Sequence, residues 1–566
     1  MGSLENYQRW LSSPKVSESD KQILLKMTQE QIDDAFFKDA EFGTGGMRGI
    51  LGPGTNRLNE FVIKKATVGF AKYVLEKYEN AQEMGVVISH DNRHMSREFT
   101  LLCAKVLSEF GIKTYIFDSL RPTPELSFAV RYMKACGGIM ITASHNPKEH
   151  NGYKVYDETG CQLVPSKIQR LVEIITSLPN ELEVEYEPVK HPAKVITLGK
   201  GVDDEYVRLV EEITLNNDLN KAGFKIVFTP NHGTSYVNAM RVYKDLGYEV
   251  YPVITQCDPD PDFSGTLSPN PEEPVSYIEP IKLAKELQAQ LVVMTDPDGD
   301  RCGLAFRDKN GEYQTLTGNQ SAAMLMDYLF MVRKQRCLLH ADGAMYNTVV
   351  TSELGGKIAS SYGVKTEQFL TGFKYIGDRI NHYEELGHGP FFEFGYEESY
   401  GCLISPFCRD KDGIQAILMY SEMALYYYRQ GKTLDVIWEE IGQRFGYHED
   451  QVFSIYFEGS RGAATMKELL AKLRANPFIT LNDKRVVKVD DFLLSKTMEN
   501  GKETPIDLPK SDVVKLYFED ETTISVRPSG TEAKVKFYIG VVGTSIEDAK
   551  AKPKLLYEKL KEYLGI

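Results

Sequence analysis

A four-domain α/β architecture is what the sequence predicts: three α/β domains with mainly parallel mixed sheets, then a C-terminal α+β domain. Three observations carry it. Short Val- and Ile-rich runs recur at GVVISHD (85–91), TYIFDS (114–119), GIMITASH (138–145), KIVFTPNHG (225–233) and LVVMTDPDGD (291–300), each ending in a polar or glycine-containing loop. Their β-branching and lack of alternation suit strands buried on both faces. Helical-period stretches at 97–110, 237–247 and 277–288 lie between them, so strand and helix alternate. The third is length: 566 residues, at roughly 150 per domain, make about four domains.

The elements place three boundaries. Residues 1–205 form the first α/β domain, ending shortly after the charged, aperiodic ELEVEYEPVKHPAK (181–194). Residues 206–310 form the second, closed by the turn signal in RDKNGEY. Residues 311–450 form the third, which ends after the helical TLDVIWEEIGQRFG. In 451–566 the grammar changes: KLYFED, TTISVRP and KVKFYIGVV are β-rich runs at short spacing, followed by a helix from about Ser545 to Leu564. That pattern predicts an antiparallel sheet.

Composition excludes several function classes. Lys+Arg against Asp+Glu is 66 − 80 = −14, the wrong sign for a general nucleic-acid binder, although a local pocket can still be basic. No apolar run approaches the roughly 18 residues that span a bilayer. MGSLENYQRW lacks the apolar stretch of a signal peptide, and Asn6 breaks the myristoylation pattern. Eight cysteines, none in a C-x-x-C pair, read as reduced and structural, hence a cytoplasmic protein. Neither a coiled-coil repeat nor an interface stripe marks a protein partner.

Five loops carry residues suited to chemistry. Asp296, Asp298 and Asp300 alternate in TDPDGDR directly after a buried strand, three hard oxygen donors of the kind Mg²⁺ takes. The calcium-loop reading fails, because Arg301 and Arg307 stand where its glycine and bidentate glutamate belong. Ser144 follows another apolar run, in ITASHNPKEHNGYKVY, with His145 beside it and Lys154 after an Asn-Gly. No nucleophile elbow surrounds it, which disfavours a lipase-like hydrolase. VRPSGTEAKVKFY offers Arg527 as a planar fork for phosphate, with Ser529, Gly530 and Thr531 able to form an anion nest. FGYEESYG (394–401) carries Glu397 and Ser399, groups that hydrogen-bond sugar hydroxyls. EFGTGGMRG (41–49) carries Arg48 but lacks the Gly-Lys-Ser/Thr of a P-loop.

In that order these motifs resemble the α-D-phosphohexomutase superfamily, over nearly the whole chain. Length, RPTPELSFAVR (121–131), LTGFKYIG (370–377) and RDKDG (409–413) are similar to its group of bacterial phosphoglucomutases and phosphopentomutases. The resemblance implies a phosphohexomutase-like four-domain fold and a cytoplasmic enzyme acting on small sugar phosphates, without nucleic acid or membrane. The implied reaction interconverts glucose 1-phosphate and glucose 6-phosphate through a phosphoserine enzyme, with Mg²⁺ and glucose 1,6-bisphosphate as intermediate and activator. Carried over, Ser144 is the phosphoserine, and Asp296, Asp298 and Asp300 hold the metal with it. Arg48 and Arg301 match arginines near that centre, and His145 and Lys154 match proton carriers whose division of labour stays open. Glu397 and Ser399 match the sugar loop; Arg527, Ser529, Gly530 and Thr531 match the loop gripping the non-transferring phosphate. Thr371, Gly372 and Lys411 fall at recognition positions. Pentose or mannose phosphate is the alternative substrate, and a catalytically silent sugar-phosphate sensor is the alternative of another class. A haloacid-dehalogenase-type phosphatase fits poorly, since Asp300 stands where that loop needs Thr or Val.

Overall fold

A computed structural model describes residues 2–41, 46–457, 462–528 and 534–566. Its first sheet runs in the order Met47–Ile50, His150–Asp157, Gly137–Ile141, Val86–His90, Thr114–Phe117, Val195–Leu198. Only the two pairings made by His150–Asp157 are antiparallel. Three of its central strands are buried at every position, as unalternating apolar runs require. Helices flank the sheet, and three short N-terminal helices pack around Trp10 and Phe36. Trp10 Nε1 ties this cap to Glu181 at 2.6 Å.

The second sheet has the order Tyr313–Leu316, Cys302–Arg307, Leu291–Thr295, Lys225–Thr229, Glu249–Pro252. It reaches past the boundary expected near 310. RDKNGEY is indeed a turn, but a hairpin inside the domain: Asp308 Oδ1 accepts from the Asn310 and Glu312 amides, both at 2.9 Å, and the two strands pair antiparallel. The third sheet, Lys365–Phe369, Gly343–Thr348, Phe391–Tyr396, Cys402–Leu403, is parallel apart from its last pair.

The fourth sheet is wholly antiparallel and is backed by helices Gly462–Ala475 and Ile546–Leu564, the latter capped by Ser545. The chain enters it along Tyr447–Tyr456, which pairs with Lys534–Gly543 over its full ten residues. Positions 205 and 450 therefore lie inside helix Lys200–Glu211 and strand Tyr447–Tyr456. The chain crosses between domains in regular structure, which composition does not mark.

One apolar core runs through the first three sheets, including Phe117, Phe228, Met345 and Ile417. The fourth sheet has its own, including Leu470, Phe537 and Leu560. Among the described residues no helix is long and apolar enough to cross a membrane. All eight cysteines are free; seven are buried, and Cys337 departs from the structural reading by being exposed.

Candidate active site

The loops meet where the carboxyl ends of the first and second sheets face one another. Strand Leu291–Thr295 delivers Asp296, Asp298 and Asp300, whose oxygens lie within 4.8 Å of one another and are all buried. The turn is pinned from inside: Asp296 Oδ1 accepts from the amides of Asp300 at 3.1 Å and Arg301 at 3.0 Å, and Gly299 adopts φ +70°. Asp298 Oδ1 and Asp300 Oδ1 are buried without a hydrogen-bond partner. Orphaned carboxylate oxygens beside a third carboxylate are what a hard cation satisfies, so the donor set fits a divalent metal. Burial, and then the charges of Asp298 and Asp300, push the Asp296 carboxyl well above its usual range. Burial acts upward on Asp298 as well, but the Lys154 ammonium and Arg48 hold it well below.

Ser144 lies three residues beyond strand Gly137–Ile141, 1% exposed and in the left-handed region at φ +54°. Its hydroxyl donates to Asp296 Oδ2 at 2.7 Å and lies 3.2 Å from His145 Nδ1. Lys154, on the neighbouring strand, places Nζ 2.7 Å from Asp298 Oδ2 and 3.5 Å from Asp300 Oδ2. Burial first, and then the guanidinium groups of Arg301 and Arg48, press the His145 imidazole well below its ordinary range. Arg48, on edge strand Met47–Ile50, reaches Asn146 Oδ1 at 3.5 Å. Arg301 pairs with Glu272 Oε1 at 2.5 Å. The six residues expected around the phosphoserine and metal, other than Arg48 and Arg301, are thus in direct contact, and those two arginines flank them.

Sequence reasoning missed the group that holds the serine loop. Arg93, with its side chain wholly buried, donates to the carbonyls of Ser144 and Asn146 at 2.5 Å, Pro147 at 2.8 Å and His150 at 3.1 Å. Asp91 pairs with its Nε at 3.1 Å, and Phe263 of the second domain stacks on it. A charged Arg-Asp pair in the loop HDNR, just past a buried strand, was the available signal.

The third domain supplies the opposite wall. Glu397 Oε1 accepts from the Gly372 amide at 2.8 Å, and Thr371 Oγ1 is buried without a partner. Ser399 follows two residues on in the same turn. Lys411 joins this wall to the metal loop, with Nζ 3.1 Å from both Asp300 Oδ2 and Asp410 Oδ1. Burial favours the neutral amine, but Asp300, Asp410 and Glu397 overcome it and raise the Lys411 pKa. The loop bearing Lys411 is anchored in the first domain and its exit helix: Tyr156 OH donates to Asp410 at 3.0 Å and Tyr206 OH to both oxygens of Asp412 at 2.9 Å. Asp410 and Asp412 were legible only as parts of RDKDG.

Arg527 stands apart from the aspartates, beside Tyr538 and in electrostatic range of Tyr375 in the 371–375 segment. Ser529, Gly530 and Thr531, and the glycine-rich residues 42–45, lie outside the described residues. Lys536, missed in the sequence, projects from the fourth sheet into the field of Glu272, Glu398 and Arg301. Burial, and then the Glu397 charge, push Glu398 up to about 7.

The phosphoglucomutase/phosphomannomutase α/β/α domains I, II and III match residues 39–181, 204–311 and 317–445. A curated phosphoglucomutase of Staphylococcus epidermidis is 35% identical over 94% of this chain and 97% of its own. Among solved structures, a phosphomannomutase-like protein of Thermus thermophilus superposes with TM-score 0.69 at 21% identity, covering 93% of this chain and 99% of that one. Parafusin, a phosphoglucomutase of Paramecium in its open form, gives 0.68 at 19%, covering 93% and 96%. These two share the fold. With three domain models covering well over half its length, and a curated relative matched end to end, this chain belongs to the phosphoglucomutase/phosphomannomutase family.

Proposed function

We propose that this protein is a phosphoglucomutase that interconverts glucose 1-phosphate and glucose 6-phosphate, working in the cytoplasm with Mg²⁺ and glucose 1,6-bisphosphate. One observation carries the reading: a buried serine hydroxyl, on a strained backbone, bonded to one of three clustered carboxylates, the other two of which carry orphaned oxygens. A hydrolase needs no such serine here, and a silent sensor needs no phosphorylatable group. Phosphorylated Ser144 gives its phosphoryl group to a sugar hydroxyl: the new O–P bond forms as the Oγ–P bond breaks, and the hydroxyl proton leaves to the His145 imidazole or to Lys154 in its neutral amine form. The bisphosphate turns, and its other phosphoryl group returns to Oγ. Asp296, Asp298 and Asp300 would hold the Mg²⁺, which when bound neutralises charge on the phosphoryl oxygens.

The remaining residues bind and orient. Arg48 and Arg301 flank the serine and face the transferring group. Thr371, Gly372, Glu397, Ser399 and Lys411 grip the sugar, with the buried Thr371 hydroxyl and the Glu397 carboxylate as its polar partners. Arg527, Ser529, Gly530 and Thr531 take the phosphate that is not transferring. We place the functional boundaries near 205, 316 and 450, with the fourth domain turning on strand Tyr447–Tyr456 to admit and release ligand.

The test is turnover of glucose 1-phosphate, mannose 1-phosphate and ribose 1-phosphate in parallel, with Mg²⁺ and trace bisphosphate, beside Ser144→Ala. Glucose turnover above the others, abolished in the variant, supports the reading. A ribose or mannose preference moves the substrate, and activity without Ser144 removes the mechanism.

A further inference from the structure

Glu272 belongs to no recognised motif, yet it pairs with Arg301 beside the metal loop and lies in electrostatic range of the third and fourth domains. Its carboxylate holds Arg301 Nη1 at 2.5 Å, while Arg301 Nε is buried without a hydrogen-bond partner, 3.9 Å from Asp300 Oδ1. The same carboxylate is the strongest charge acting on Lys536 of the fourth domain, and it also acts on Glu398 and Tyr400 of the third. The loop that carries it is built to hold still. Asn270 Oδ1 accepts from the Glu272 amide at 3.1 Å, Ser276 Oγ donates to the Asn270 carbonyl at 2.6 Å, and Tyr277 OH donates to the Pro271 carbonyl at 3.1 Å. Prolines at 271 and 274 restrict the turn further.

The consequence follows from Arg301 having two tasks. Its backbone amide pins Asp296 of the metal loop, and its guanidinium flanks Ser144 and His145. A guanidinium in that place, free to swing, would clamp an incoming phosphate in many poses; one tethered by a fixed carboxylate presents a single face. The tether is also a rival, because a phosphate bound at Arg301 must compete with it.

We propose that Glu272 is a positioning residue for Arg301 and the anion that substrate phosphate displaces from Arg301 when it binds. Its substrate rests on the mutase reading above. Binding energy is thereby exchanged for orientation: affinity is held down and productive geometry is enforced.

Glu272→Gln keeps the shape and removes the charge, and Glu272→Asp keeps the charge on a shorter arm. For Glu272→Gln, kcat on glucose 1-phosphate falls about tenfold while KM also falls, about threefold. Glu272→Asp recovers part of kcat. Merely structural damage would raise KM or leave it unchanged, so a kcat loss without a lower KM overturns the proposal, as does unaltered kcat. Calorimetric titration of glucose 1,6-bisphosphate, in a Ser144→Ala background that cannot transfer phosphate, is independent of turnover. Tighter binding with Glu272→Gln is expected, and equal or weaker binding overturns the proposal. If the unmodified enzyme fails to turn over glucose 1-phosphate, the mutase reading falls, and this titration alone decides the role of Glu272.

Discussion

Arg93 donates to the carbonyl of Ser144 at 2.5 Å, and the same guanidinium takes three further carbonyls of the loop that follows. Ser144 is left-handed at φ +54°, a conformation that costs a non-glycine residue of order 1 kcal/mol and persists when its surroundings over-determine it. Arg93 does this, from inside the protein.

Arg93→Lys is therefore not conservative, since an ammonium cannot serve four carbonyls in a planar fork. We expect at least about a hundredfold loss of kcat, the size of effect that small misplacements produce. Intact-mass analysis after incubation with bisphosphate should show slower phosphorylation of Ser144. Near-normal phosphorylation would show that the loop holds itself.

Replacing Asp296, Asp298 or Asp300 by Asn, singly, should weaken divalent-metal binding measured by titration calorimetry by at least about tenfold, because each removes a charged oxygen donor. Asp298→Asn has a second effect, since it leaves Lys154 without its 2.7 Å partner. Of the three, it should lower the melting temperature of metal-free protein most.

Gly401 lies against the Lys411 side chain so closely that a Cβ there would come within 2.0 Å of Lys411 Cδ. Gly401→Ala should displace the lysine while sparing the fold, because the clash is with a flexible stem. The expected result is a higher KM for sugar phosphate, with an unchanged circular-dichroism spectrum.

Asp450 lies on the strand entering the fourth domain, and burial pushes its carboxyl up to about 7, with the charges of Glu449 and Glu353 adding to the rise. A carboxyl raised in the folded state binds its proton more tightly there than in the unfolded chain. Its stabilisation is full below the unfolded value of roughly 4 and is lost as pH climbs through 7. Melting temperature should fall between about pH 4 and pH 7, and Asp450→Asn should flatten that slope. An equally steep slope in the variant would assign the dependence elsewhere.

Local sequence marked the centre of the candidate site and concealed its supports. Ser144 and the three aspartates follow strands buried on both faces, where a polar loop stands out against an apolar run. Arg93, Glu272 and Lys536 act across 29 to 264 residues of sequence on groups in other loops or domains, so no local spacing reports them. The hairpin at 308–312 was visible as a turn but not as internal to a domain, because turn chemistry is the same in both settings. Lys411 was expected at a recognition position; its contact with Asp300 depends on how the third sheet docks against the second.

The distribution of apolar cores bears on how the molecule comes apart. Phe117, Phe228 and Met345 share one core although they belong to three sheets, with Ile417 of helix Gly413–Tyr428 among them, whereas Leu470, Phe537 and Leu560 share another. Cooperativity follows buried contact rather than sheet membership. The first three domains should therefore melt as a single calorimetric unit, and the fourth as a second. A lesion in any one of the three would propagate through all of them, while damage to the fourth would leave a folded body that still holds Ser144 and its aspartates.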